Sequence, residues 1–278
     1  MQDFKITTLC CNTVMTSAGL LAEHGQSFLI ETPDSQVLFD AGQSDVTVRN
    51  AKLMGKDLSR TEFVVLSHGH YDHAGGLNAV LDAGIKFKLV LHPDAWQEKL
   101  ALTPDGVRPI GISPVIREKI SAAGIEIIET NEPFEVLPGI KTTGEVPMNN
   151  EFEVIEPMLM VKGESGPVPD PLNDDLSLIV STDKGTVLLL GCAHRGTVNH
   201  MRRTAEITGE SNFFAVIGGM HLERAQQAQI DATAAALTEF DVKSIVPSHC
   251  TGPRATAALM MKFPEKAFPN FVTYSIAG

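Results

Sequence analysis

Four residues that can bind transition metals lie within six positions of this chain. His68, His70, Asp72 and His73 offer three imidazoles and one carboxylate, and both groups are ligands for divalent transition metals. The apolar run at 63–66 is typical of a buried strand, and a helix-like run follows the cluster. We therefore expect these side chains on the turn from a strand to a helix, where they can converge on an ion.

The spacing of these ligands favours two neighbouring ions over one. His68 and His70 are two residues apart and can point to one position, while Asp72 and His73 can point to a second. Gly69 can adopt backbone angles that are closed to other residues, so the loop can fold tightly around an ion. The loop alone cannot complete the coordination of an ion without strain, and further ligands are expected from later in the chain.

Three later histidines also follow short apolar runs that predict strands. These are His194, His221 and His249. We expect His194 and His249 to bind metal. For His221 three roles stay open, namely a metal ligand, a general acid, or a contact to substrate phosphate, and the catalytic role is preferred. The remaining histidines lack such a pattern and are expected to have ordinary structural roles: His24, His92 and His200.

Composition excludes several classes of function. Hydrophobic residues make up 43% of the 278 residues, which is enough for a sizeable core. The net charge of −12 repels phosphodiester backbones, so no nucleic-acid partner is expected. No stretch reaches the ~18 apolar residues of a membrane helix, and the first residues lack the basic end and apolar block of a signal peptide. We expect a soluble cytoplasmic protein with reduced cysteines and a small-molecule substrate.

The order of the predicted elements indicates a single α/β domain over residues 1–278. Both halves of the chain contain strands that end in histidines and are followed by helices. Two sheets packed back to back, with helices outside, would bury such strands on both faces. Proline, glycine and acidic residues are frequent within residues 93–175, and we expect a loop-rich insertion there that lies over the site.

Five sequence motifs resemble those of one known family. They are LFDAG at 38–42, SHGHYDHAGGL at 67–77, LGCAH at 190–194, GGMHL at 218–222 and SHCTG at 248–252. Together they resemble the metallo-β-lactamase superfamily. The motifs around 192 and 221 resemble its branch named after the dihydropterin ribofuranosylaminobenzene phosphate synthases. The resemblance implies a four-layer αββα sandwich with the metal ligands gathered along one edge.

The chain departs from the superfamily pattern at two ligand positions. Where many members carry a further histidine, the only ligand type here is Glu145, and where many carry a bridging aspartate this chain has Cys192. Either Cys192 binds metal as a thiolate, or His194 replaces the missing ligand. We expect one or two divalent ions, with zinc as the first choice and iron or manganese as alternatives. A thiolate ligand favours zinc or iron over manganese.

These residues and the resemblance together predict a metal-dependent hydrolase. A metal-bound hydroxide would attack a small, phosphate-containing ester, with Asp72 binding metal and accepting a proton and His221 protonating the leaving group. Arg195 and Glu145 are expected to contact the substrate. The branch resemblance implies a pterin or ribosyl-phosphate substrate, and it also implies a synthase activity. Two other classes stay open: a di-iron redox or oxygen-handling protein on the same fold, and a non-catalytic metal-bound sensor.

Overall fold

The structure, a computed structural model, describes residues 3–15 and 19–278. The first two residues, on which part of the expectation about the amino terminus rests, lie outside the described residues. The strands are β1 (Lys5–Cys10), β2 (Ser27–Glu31), β3 (Gln36–Phe39), β4 (Thr61–Val65), β5 (Lys88–Leu91), β6 (Lys99–Thr103), β7 (Gly106–Pro109), β8 (Glu126–Glu129), β9 (Glu135–Leu137), β10 (Ile140–Thr142), β11 (Leu159–Gly163), β12 (Gly166–Pro169), β13 (Ser177–Thr182), β14 (Gly185–Leu190), β15 (Asn212–Gly219), β16 (Asp241–Val242), β17 (Ile245–Ser248) and β18 (Ser275–Ala277).

The helices mostly follow strands along the chain. The α-helices are α1 (Val46–Leu53), α2 (Tyr71–Ala74), α3 (Leu77–Asp82), α4 (Pro114–Ala122), α5 (Thr197–Thr208), α6 (Gln227–Ala236) and α7 (Gly252–Lys262), and short 3-10 helices cover Pro93–Trp96, Leu237–Glu239 and His249–Thr251. Across 3–15 and 19–278, no helix combines the length and the apolar character that spanning a membrane requires.

Two large sheets and one small sheet organise the strands. The first sheet has the order β18-β1-β2-β3-β4-β5-β8. The second has the order β16-β15-β14-β13-β10-β9, and β17 also pairs with β15. The small sheet has the order β12-β11-β6-β7, and we call it the cap sheet.

Three apolar cores define the layers. Between the two large sheets, Phe28 and Phe39 of the first sheet share a core with Leu178 and Leu189 of the second. A second core packs the first sheet against α1, α3 and α4, and a third packs the second sheet against α5, α6 and α7. Helices thus cover the outer face of each sheet, and the four-layer αββα sandwich predicted from the sequence is confirmed.

The strands that carry the predicted ligands end along a common edge. β3 and β4 are parallel neighbours in the first sheet, and β14, β15 and β17 are parallel neighbours in the second. The residues after these strands turn sharply, with φ of 60° at Asp40, 52° at Ala193, 47° at His221 and 48° at His249. Such left-handed backbone is strained for non-glycine residues, and it concentrates at functional sites.

Residues 93–175, where a loop-rich insertion was expected, contain several strands and a helix. They supply all four strands of the cap sheet, helix α4, and strands that extend both large sheets. Ala101, Ile110, Leu159 and Leu172 form a small apolar core of their own, and Tyr71 packs against it. Because Tyr71 opens α2, this contact brings the cap sheet to the loop that carries the predicted metal ligands.

Candidate metal centre

The predicted metal loop turns tightly between β4 and α2. His68 and His73 are fully buried, and only 5% of His70 and 6% of Asp72 is exposed. Gly69 permits the close packing of this loop, because a Cβ at that position would lie 2.2 Å from a backbone carbonyl oxygen of the 3-10 helix after β5. The fold therefore holds all four ligand-type side chains in its interior, where polar groups need partners.

His68, Cys192 and His194 form a group whose ligand atoms all lie within 4.8 Å of one another, which we call the first metal group. His194 Nε2 lies 3.3 Å from His68 Nε2, and His70 Nδ1 lies 2.9 Å from the same atom. His70 Nε2 and His194 Nδ1 are buried without a hydrogen-bond partner among the described residues. Burial lowers the pKa of His68, His70 and His194 well below the usual value. These imidazoles are therefore neutral, and each has a lone pair to offer an ion.

His73, Cys192 and His249 form the second metal group, with their ligand atoms equally close. His73 Nε2 lies 3.1 Å from Cys192 Sγ and 3.3 Å from His249 Nε2. Asp72 Oδ2 lies 3.2 Å from His249 Nε2 and 3.2 Å from His24 Nε2. His24, Asp72 and His249 also form a group that could hold an ion. No ligand pattern surrounds His24 in the sequence, so only the structure reveals this position.

Cys192 belongs to both metal groups. The sequence left two alternatives, a thiolate ligand at Cys192 or its replacement by His194, and the structure brings both side chains into the site. Glu145, the third candidate, lies 3.1 Å from His92 instead, and 46% of its side chain is exposed. Imidazole, carboxylate and thiolate donors around two adjacent positions suit divalent ions such as zinc. Together with the unpaired imidazole nitrogens, this donor set fits a pair of such ions.

A buried carboxylate behind the metal loop orients His73. Asp40 accepts hydrogen bonds from Ser67 N at 2.8 Å, from Ser67 Oγ at 2.8 Å and from His73 Nδ1 at 2.7 Å. The bond to Nδ1 leaves His73 Nε2 facing the second metal group. Burial by itself lowers the pKa of His73, but the Asp40 and Asp72 carboxylates raise it to about 9. An ion at Nε2 would displace the proton that this pKa describes.

His221 lies beside the first metal group. Its ring centroid is 4.0 Å from that of His194, and its Nε2 lies 3.5 Å from Glu156 Oε1. Burial lowers the pKa of His221, but Cys250 and Glu156 raise it to about 10. With Cys192 and Cys250 it also forms a further group of three that could hold an ion. The catalytic and ligand roles foreseen for His221 both stay predictions.

A cavity of about 150 Å³ opens onto these groups. Ligand candidates from both metal groups line it, and so do His221 and Cys250. The cap sheet contributes Ala101, Arg108 and Leu159 to its wall. The cavity therefore lies between the ligand-bearing edge of the sandwich and the cap sheet.

The two predicted substrate contacts do not line this cavity. Arg195 lies elsewhere, with Nη1 donating to Pro171 O and Asn173 Oδ1, each at 2.8 Å. Glu145 pairs with His92. The structure thus gives Arg195 a role in holding the segment before β13, and the substrate roles of Arg195 and Glu145 stay predictions.

Comparison with known proteins identifies the family. A family model described as the metallo-beta-lactamase superfamily matches residues 21–249. This chain belongs to the metallo-β-lactamase superfamily. A 7,8-dihydropterin-6-methyl-4-(β-D-ribofuranosyl)-aminobenzene-5'-phosphate synthase from Methanocaldococcus jannaschii is 30% identical to it over 274 residues, which cover 95% of this chain and 93% of the relative. The likeness to this branch, inferred from the motifs around 192 and 221, is confirmed.

Solved structures of the superfamily have the same fold. The crystal structure of Tm1679, a metal-dependent hydrolase of the β-lactamase superfamily, matches with a TM-score of 0.85 and 29% identity over 98% of each chain. The metallo-β-lactamase fold protein YhfI from Bacillus subtilis matches with a TM-score of 0.63 and 13% identity over 100% of each chain. The metal dependence that the superfamily's name denotes agrees with the presence of candidate metal ligands at the edge of the sandwich.

Proposed function

We propose that this protein is a metal-dependent hydrolase that uses two divalent ions, held in the first and second metal groups, on a small phosphate-containing ester. The observation that supports this most directly is that Cys192 belongs to both groups and lines the cavity. Zinc is the ion that the donor set fits best. Ions bound there would polarise the substrate and lower the pKa of a coordinated water to near neutrality.

The side chains of the cavity would then bind, orient and move protons. Asp72 offers its carboxylate to the second metal group and can accept a proton. His221 lines the cavity and lies near Glu156, so it can donate a proton to the leaving group. Asp40 keeps His73 in the orientation that presents Nε2. No serine nucleophile is needed for such a reaction.

Hydrolysis of bis(4-nitrophenyl) phosphate by zinc-loaded protein tests this function. We expect nitrophenolate release that rises with zinc content. His221→Ala should lower the rate about 10²–10⁴-fold with zinc content unchanged, and an equal loss of zinc and rate would make His221 a ligand. Zinc-loaded protein that turns over no phosphoester, lactone or thioester would reject the proposed hydrolase.

The archaeal relative supports a second candidate, a synthase. Its name denotes formation of an aminobenzene ribofuranosyl phosphate compound, and its 30% identity extends over 95% of this chain. In that case the same cavity would bind a phosphorylated aromatic substrate without cleaving an ester. Mass spectrometry of reactions in cell extract would distinguish the two, since only a synthase accumulates the product that the relative is named for.

A further inference from the structure

Two arginines line the cavity, Arg108 and Arg224. Arg108 lies on β7 of the cap sheet, and Arg224 follows β15, three residues after His221. Both residues are exposed. Among residues 3–15 and 19–278, neither guanidinium group has a carboxylate oxygen within 4.0 Å, the distance that defines an ion pair. What distinguishes these two arginines is that both line the cavity that opens onto the metal groups.

Both guanidinium groups rest on residues that line the same cavity. Arg108 lies over the ring of Tyr71, 5.7 Å from its centroid. Arg224 Nη1 lies 3.1 Å from the sulfur of Met158, which is only a weak acceptor. Tyr71 and Met158 both line the cavity. These contacts hold the arginines against its wall and leave most of their N–H groups free to donate to a ligand.

Two guanidinium groups without an ion pair are suited to bind an anion. The planar fork of arginine matches the oxygens of phosphate and binds them through paired hydrogen bonds. The chain as a whole carries a net charge of −12, and Glu156 and Glu223 also line this cavity. The guanidinium groups of Arg108 and Arg224 offset this negative charge at the wall of the cavity.

The wall beside Arg108 is apolar. Ala101, Ile110 and Leu159 belong to the small core of the cap sheet, and Tyr71 packs against that core. All four line the cavity, as does Met158. Apolar and aromatic walls with a few fixed polar groups are typical of sites for small organic ligands. The cavity thus combines an apolar wall, a cationic pair and the metal groups.

We propose that Arg108 and Arg224 bind a phosphate group of the substrate, while the apolar wall binds an aromatic part that extends toward the metal groups. This inference rests on the proposed function and narrows its substrate class to an aromatic phosphate monoester whose phosphate stays intact while another bond reacts at the ions. Arg108 comes from the cap sheet and Arg224 from the sandwich. The bound phosphate would therefore also join these two parts of the molecule.

Calorimetric binding of phenyl phosphate to the metal-loaded protein tests the subsite. Arg108→Gln and Arg224→Gln should each weaken binding about tenfold, because each removes charge-assisted hydrogen bonds to the phosphate. The double variant should lose about 100-fold if the two act independently. Arg108→Lys should recover part of the loss. Arg60→Gln is the matched control, since Arg60 is exposed, does not line the cavity and donates to Pro33 O.

The outcomes separate the subsite from the proposed hydrolase. An unchanged affinity in the double variant would place the phosphate on the metal ions alone and overturn the subsite. An equal loss in Arg60→Gln would overturn it as well, since general surface charge would then explain the effect. A failure of the wild-type protein to bind phenyl phosphate would also overturn the subsite. Arginine-dependent binding without any hydrolytic turnover would reject the hydrolase and retain the subsite.

Discussion

At the scale of single residues, the carboxylate of Asp40 decides which nitrogen of His73 faces the metal groups. Asp40 is fully buried and accepts three hydrogen bonds, two from Ser67 and one from His73. Its φ of 60° lies in the left-handed region, which is uncommon for residues other than glycine, and such angles persist where the surroundings hold the residue in place. The strain and the burial both indicate that the position serves the site.

Replacing Asp40 with asparagine should weaken zinc binding about 10–100-fold, because the amide can no longer hold His73 with a charged acceptor. Competition with a chromophoric chelator measures this affinity. Asp34→Asn is the matched control, since Asp34 lies in the exposed turn between β2 and β3 and should leave zinc affinity unchanged. Equal zinc affinity in Asp40→Asn and wild type would contradict the role given to Asp40.

At the scale of secondary-structure elements, a buried ion cluster joins the cap sheet to the metal loop. Lys99 on β6 donates from Nζ to Asp170 Oδ2 and to Asp174 Oδ1, each at 2.8 Å. The other oxygen of Asp174 accepts from Gly69 N at 2.8 Å. Burial alone lowers the pKa of Lys99, but Asp174 and Asp170 raise it above the usual value. Lys99 therefore stays charged and fixes β6 against the loop that carries His68 and His70.

Lys99→Met should lower the free energy of unfolding by about 3–5 kcal/mol, because it leaves two buried carboxylates without a cation. Urea unfolding measures the loss. The control is Lys162→Met, which removes an ion pair to Glu98 whose side chains are 61% and 53% exposed and should cost less than about 1 kcal/mol. Equal losses in both variants would contradict the structural role of Lys99.

The same cluster should make the free energy of unfolding depend on pH in the alkaline range. The folded pKa of Lys99 lies above its unfolded value, so its contribution is complete below the unfolded pKa of about 10.4. The contribution is lost as pH rises through the folded pKa. The stability difference between wild type and Lys99→Met should therefore shrink above about pH 10.4. A difference that grows with alkaline pH would contradict the paired state of Lys99.

At the scale of the whole molecule, the sandwich and much of its ligand-bearing edge could be predicted from the sequence. The apolar runs of β4 and β14 are buried along their length, and ligand-type residues follow each run closely. The local sequence pattern therefore predicts both the strands and the positions of the candidate ligands. The helix expected at 196–208 is observed at Thr197–Thr208. The metal loop itself is contiguous, which makes His68 to His73 visible without any tertiary structure.

The rest depends on contacts between distant parts of the chain. The strands of the cap sheet are short, and β6 pairs with β11 across almost 60 intervening residues, so local pattern does not reveal them. Lys99 looks like an ordinary surface lysine until Asp170 and Asp174 surround it. His24 and Arg108 likewise reach the cavity only through the tertiary fold. Arg195 follows a ligand motif in sequence, yet it lies outside the cavity.

The proposed position of Cys192 between two ions is tested most directly by X-ray absorption at the zinc edge of protein loaded with two zinc ions. A thiolate shared by both metal groups predicts a sulfur neighbour at about 2.3 Å from zinc. This signal should disappear in Cys192→Ala and persist in Cys10→Ala, whose buried thiol belongs to none of the groups that could hold an ion. A spectrum explained by nitrogen and oxygen alone, or a sulfur signal that survives Cys192→Ala, would contradict the shared thiolate.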